Sequence, residues 1–260
     1  MEDVLAVYTR AHDPARPLVC LDEVSKQLVA ETRMPIPIKP GRPACHDYEY
    51  RRNGTANLFM AFAPLEGNRH VKVTTRRTSI DYAHFLRDLA DVHYCTAEKI
   101  VLVQDNLNTH TPASLYLAFT PQEARRLTQR FEWHYTPKHG SWLNMAETEL
   151  SVLSRQCLNR RIEDQTFLTS EVAKWQAERN TKGAAANWRF TSQDSRRLVS
   201  SPHTGDAHHT RACCLYWRKH IENQSSGLTH SKESELGFPL DVEHARLRHA
   251  YGNIFHCFDG

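Results

Sequence analysis

Hydrophobic positions along the chain fall into short runs whose spacing changes from strand-like to helical and back. Leu18–Glu23 (LVCLDE), Asn57–Ala63 and His70–Thr75 are apolar or alternating, and they are bounded by turn signals such as Asn53-Gly54 and Glu66-Gly67, so they predict three strands. In Ser79–His93 the residues Tyr82, Phe85, Leu86 and Leu89 recur at three-to-four spacing, which predicts a helix. Ile100–Val103 is apolar without alternation, as expected for a strand buried on both faces. Thr109–Phe119 and Pro121–Arg130 read as short helices, Phe131–Tyr135 as a further strand, and Leu143–Leu158 and Gln165–Asn180 as a helix pair. This order of elements predicts an α/β fold, a mixed sheet flanked by helices.

From about residue 200 the pattern stops. Residues 201–260 hold eight of the sixteen histidines and three of the seven cysteines, with no sustained period of 3.6 or 2.0. The expected organisation is therefore a domain over 1–200 and an atypical, His-rich tail over 201–260, irregular and poorly packed. Within it His208, His209, Cys213 and Cys214 have the right chemistry for zinc, but adjacent ligands are poorly placed to share one ion.

Composition narrows the class. No run approaches the roughly 18 apolar residues of a membrane span, and the N-terminus lacks the basic-then-apolar order of a signal peptide, so the expectation is a cytoplasmic protein with no membrane partner. Seven cysteines without a CxxC pair read as reduced thiols. The net charge of +3 decides little by itself. Residues 121–161, however, carry seven Lys/Arg (Arg125, Arg126, Arg130, Lys138, Arg155, Arg160, Arg161) against four Asp/Glu, a cationic rim suited to a polyanion.

The candidate chemistry lies where strands end on acids. On β-structure residues two apart share a face, so Asp22 continues the face of Leu18 and Cys20 while Glu23 points the other way. Asp105 follows Val101 and Val103 at the carboxyl end of its strand, where open α/β sheets place ligand crevices. Acids brought together there repel one another unless a divalent cation such as Mg²⁺ or Mn²⁺ supplies the opposing charge. A third acid is available on the helix after Leu143. Ala146, Leu150, Leu153 and Cys157 form its core stripe, Glu147 and Glu149 flank the stripe on opposite sides, and periodicity does not choose between them.

Asp22-Glu23 after an apolar strand, Gln104-Asp105-Asn106 with His110 beyond, and Tyr135-Thr136-Pro137 leading to Leu143-Asn144-Met145-Ala146-Glu147 resemble the DDE superfamily endonuclease domain of bacterial insertion-sequence transposases in the mariner-related superfamily. Met145 stands where the family's LNP-I-E pattern has proline, and Glu147 falls on its catalytic glutamate. Forty-one residues lie between Asp105 and Glu147, longer than the family's usual spacing, and the extra length is assigned to the Pro121–Arg130 helix. The likeness runs from about residue 1 to about 198.

The resemblance implies a ribonuclease H-like fold and metal-dependent DNA strand cleavage and strand transfer. It implies Asp22, Asp105 and Glu147 as catalytic residues and ligands of two Mg²⁺ or Mn²⁺ ions. Asn106, His110, Lys138, His139, Trp142 and Asn144 are implied as DNA contacts, with helix capping the competing role for Asn106, surface packing for His110 and core packing for Trp142. The implied partners are transposon ends and target DNA, with a homo-oligomer assembled on the DNA in the bacterial nucleoid. Family members generally carry an N-terminal helix-turn-helix region, and the chain begins almost at the first catalytic strand. A second reading is therefore a truncated, inactive remnant that only binds DNA or full-length transposase.

Overall fold

The computed structural model describes residues 1–196 apart from Ala44, His46, His139, Asn187, Arg189, Asp194 and Ser195. The expectations for 201–260, and that for His139, lie outside the described residues.

Helix α1 (Glu2–Tyr8) is followed by strands β1 (Leu18–Glu31), β2 (Tyr50–Ala63) and β3 (Asn68–Thr74) and helix α2 (Ser79–Asp88), which continues through a wider turn over Leu89–His93. Then come β4 (Ile100–Gln104), α3 (Ala113–Ala118), α4 (Pro121–Gln129), β5 (Phe131–Tyr135), α5 (Met145–Leu153), also continued by a wide turn, and α6 (Gln165–Thr181). The five strands form one sheet in the order β3-β2-β1-β4-β5. β1, β2 and β3 are antiparallel neighbours, whereas β4 runs parallel to both β1 and β5. This is the expected mixed sheet flanked by helices.

Alternation along the strands builds two cores. Val19, Leu21, Phe59, Ala61, Ile100 and Leu102 pack with Tyr82, Phe85, Leu86 and Leu89 of α2 and with Leu115 and Leu127 of α3 and α4. On the opposite face Leu28, Leu58 and Met60 meet Leu150, Leu153 and Cys157, together with Leu168, Val172 and Trp175 of α6. The helix starts follow from their capping residues. Thr78 and Asp81 form a reciprocal capping box at α2, Thr120 caps α4 ahead of Pro121, and Asp164 accepts from Phe167 N at 2.7 Å to start α6.

The structure departs from the predicted elements in two places. β1 and β2 are each fourteen residues long and extend well past the stretches read from the sequence, with the first half of β2 exposed. Helix α1 is new, and it buries Val4, Leu5, Val7 and Tyr8. Among the described residues no helix is long and apolar enough to cross a membrane.

Candidate active site

Register places the acids. β1 and β4 pair with Leu18 opposite Val101 and Cys20 opposite Val103, so the next same-face residue on each strand is Asp22 and Asp105. Asp105 turns an oxygen to His110, and Asp22 lies on the face of the sheet covered by α5. The start of this helix is fixed by Asn144, whose Oδ1 accepts from Ala146 N at 3.1 Å and whose Nδ2 donates to Leu21 O at 2.8 Å. One side chain thus caps the helix and ties its first turn to the strand that carries Asp22. The preceding turn is tight: a Cβ at Gly140 would lie 2.5 Å from Pro137 Cγ. From the other side, Tyr8 of α1 donates to Leu143 O at 2.6 Å.

This frame turns Glu147 toward Asp22 and Asp105. Burial pushes the Asp22 carboxyl well above the usual carboxylate range, and the charges of Glu147, Glu23 and Asp105 push it further, against a hydrogen bond from Glu23 N at 2.8 Å. Glu147 is raised as well, by burial and by Asp105, with the Ser141 hydroxyl opposing. Burial is the larger cause in both, and repulsion between the carboxylates adds to it.

Glu149, left open by periodicity, is engaged elsewhere. It is 3 % exposed, accepts from Arg69 Nε at 2.6 Å and from Arg179 Nη2 at 3.1 Å, and lies in a buried ion-pair hub. Three oxygen donors from β1, β4 and α5 have the chemistry that hard divalent cations prefer. Among the described residues no three His, Cys, Asp or Glu side chains are close enough to grip one ion, so the acids form a facing group and not a closed cage.

The second acid of the Asp22-Glu23 pair follows strand alternation to the other face. Glu23 Oε2 lies 2.9 Å from His110 Nε2, although the two are not aligned for a hydrogen bond, and Glu23 Oε1 lies 3.5 Å from Arg77. His110 Nδ1 bonds Asp105 Oδ1. Burial pulls the imidazole down, but the flanking carboxylates of Asp105 and Glu23 outweigh it and hold the ring's pKa up at about 9. His110 is 1 % exposed, so the expected contact with DNA is not available to it as it stands.

Several other expected DNA contacts are corrected in the same way. Asn144 is 1 % exposed, with its amide used at both ends. Trp142 is buried in an aromatic group, with ring centroids 6.3 Å from Trp188 and 5.4 Å from Phe190, so the core-packing alternative holds. Asn106, next to Asp105 in the chain, and Lys138 are exposed and remain accessible to a polyanion. The cationic rim is smaller than its sequence count. Arg126 pairs with Asp91 and Glu123, Arg160 with Glu171 and Arg161 with Glu31, while Arg130 donates to Ala90 O and Tyr94 O. Arg125, Lys138 and Arg155 are exposed.

Sequence reasoning missed the buried Gln104. Its Oε1 accepts from Tyr82 at 2.6 Å and its Nε2 donates to His110 O at 2.9 Å, closing the 105–110 loop against α2. A polar residue at the end of an otherwise apolar strand was the available signal.

The fold is a mixed five-stranded sheet flanked by helices, with Asp22, Asp105 and Glu147 within electrostatic range of one another. The chain belongs to the DDE superfamily endonuclease family, whose sequence pattern matches residues 17–169. Among solved structures it is similar to the Mos1 mariner paired end complex with Mn, at 18% identity over 70% of this chain and 55% of that one, with a TM-score of 0.43. It is also similar to a pre-cleavage Mos1 transpososome, at 17% identity over 73% of this chain and 60% of that one, TM-score 0.40. The Mos1 strand transfer complex matches at 17% identity over 73% and 59%, TM-score 0.41. The chain thus spans less than two thirds of the length of these relatives. No match to a curated protein sequence was found.

Proposed function

We propose that this chain is the catalytic domain of a DNA transposase, which cuts and joins DNA strands with divalent metal ions. The observation that carries the reading is that Asp22, Asp105 and Glu147, from three different elements, lie within electrostatic range, with Asp22 and Glu147 raised in pKa first by burial and further by neighbouring carboxylates. Membership of the DDE superfamily endonucleases, matched over residues 17–169, a stretch that contains all three acids, supports the reading.

In this reading Asp22, Asp105 and Glu147 hold two Mg²⁺ or Mn²⁺ ions. Bound there, the ions supply Lewis-acid stabilisation of the oxygens that attack and leave phosphorus during in-line displacement. The chain's own contribution is to fix the acids: the β1–β4 ladder, paired from Leu18–Val101 to Cys20–Val103, leads up to the two aspartates, and Asn144 ties the helix bearing Glu147 to β1. Asn106, beside Asp105 in the chain, and the exposed Lys138 meet the phosphate backbone, with Arg125 and Arg155 as further exposed cations of the 121–161 segment. The partners are transposon ends and target DNA, with more than one copy of the chain assembled on them.

A nicking assay on plasmid DNA with Mg²⁺ or Mn²⁺ tests this. Cleavage should require the metal, and Asp105→Asn, which removes a ligand charge and keeps the shape, should lower it by at least about a thousandfold, some 4 kcal/mol in transition-state terms. Equal activity in Asp105→Asn and wild type would remove the catalytic assignment.

A further inference from the structure

We propose that Glu23 and His110 form a brace that sets the orientation of Asp105, so that Glu23 serves the acidic site through the imidazole and is not itself a metal ligand. The inference rests on the reading that Asp105 binds metal.

Asp105 stands one residue beyond the last ladder position of β4, where no strand pairing fixes its side chain. Its hydrogen bonds fall on one oxygen: Oδ1 meets His110 Nδ1 and Leu107 N, the latter at 3.3 Å. Among the described residues no donor meets Oδ2, which is thereby left for a cation. The imidazole that does this holding is itself held on every side. Its backbone carbonyl accepts from Gln104, its ring lies against Tyr82 with centroids 4.8 Å apart, and its second nitrogen touches Glu23 Oε2 at 2.9 Å.

Glu23 is directed to this task by strand alternation. Its side chain leaves the face that carries Asp22, its two oxygens meet His110 and Arg77, and it is only 4 % exposed. A carboxylate so placed has no oxygen to offer on the Asp22 side. Residues that orient metal ligands from behind typically change metal affinity by about 10–100-fold when removed, because the ligand must then be ordered by the metal itself.

The test is Mn²⁺ binding to the full chain without DNA, read as loss of the free Mn²⁺ signal in electron paramagnetic resonance. His110→Ala should weaken binding by about 10–100-fold. His110→Asn keeps a donor near the position of Nδ1 and should recover most of that loss. Glu23→Gln should weaken binding in the wild-type background and add nothing in the His110→Ala background, since its effect passes through the ring. If His110→Ala does not fold, His110→Asn and Glu23→Gln carry the test: Glu23→Gln should weaken binding alone and add nothing in the His110→Asn background, which also lacks the ring.

Two results would overturn the brace: unchanged Mn²⁺ affinity in both His110→Ala and Glu23→Gln, or a Glu23→Gln loss that adds in full to the histidine variant and makes Glu23 a ligand. A failure of the functional reading looks different. In that case wild type takes up no Mn²⁺, or Asp105→Asn binds it as well as wild type does, and the brace falls together with the site.

Discussion

Glu147 and Glu149 stand two residues apart on α5 and meet opposite fates. Glu149 is buried among cations: Arg69, itself 0 % exposed, and Arg179 both bond it, and Arg69 goes on to donate to the carbonyls of Gly67 and Ala184. Glu147 faces Asp105 and Asp22. The first region is complete as folded, since its anion is neutralised by protein groups. The second gathers like charges and leaves their compensation to something the chain must acquire. A buried or half-buried acid is therefore informative only together with what opposes it.

The sharpest way to break the comparison is to make the same change at both positions. Glu149→Gln removes the charge that compensates Arg69, and breaking a buried pair on one side costs about 3–5 kcal/mol. Glu147→Gln removes one of several repelling carboxylates and should cost nothing or stabilise slightly. Urea unfolding without metal measures both. Equal losses would mean that the two regions do not differ in the way their contacts indicate.

This contrast also marks the limit of what the sequence made legible. The stripe of Ala146, Leu150, Leu153 and Cys157 is buried as its period requires, so the helix and its inward face were readable. The strand end before Asp105 was readable too, because an apolar run stopping on an acid is a local pattern, whereas the same pattern at Asp22 misled: β1 runs on to Glu31 and Asp22 lies inside it. The choice between Glu147 and Glu149 was not local. It depends on Arg69 and Arg179, 80 and 30 residues away, and on which strand lies beneath α5. The role of His110 was hidden for the same reason, since its partner Glu23 comes from another strand. The exposed half of β2 escaped because a ladder without a buried face leaves no alternation to detect. Helix α1, seven residues long, is too short for a period to stand out.

A smaller effect probes how the acidic region is held together. Asn144→Ala removes the cap of α5 and the bond to Leu21 O, at a cost of about 1–2 kcal/mol. Because that bond joins the helix of Glu147 to the strand of Asp22, metal affinity should fall along with stability. Glu149 is anchored separately through its arginines, so the ion-pair hub should persist. An Asn144→Ala variant that loses stability but binds Mn²⁺ like wild type would show that the cap serves the helix alone.

The smallest expected change is a gain. Asp22→Asn relieves the repulsion with Glu147, Glu23 and Asp105 and should raise the stability of the metal-free chain by no more than about 1 kcal/mol at neutral pH. Its pH dependence separates charge relief from any packing effect. The Asp22 carboxyl is raised in the folded chain, so between its ordinary value of about 3.9 and the higher folded value the native state holds a proton that the unfolded state has released. Wild-type stability from this group therefore falls as pH rises through that window and is regained as pH falls toward about 4. The asparagine has no such window. The advantage of Asp22→Asn over wild type should accordingly be largest at neutral pH, shrink on acidification, and reverse when Mn²⁺ is added at neutral pH, because the metal then stabilises only the chain that keeps its ligand. A gain that is the same at pH 4 and pH 7 would trace to packing, and the acidic region would then lose its contrast with the arginine-compensated one.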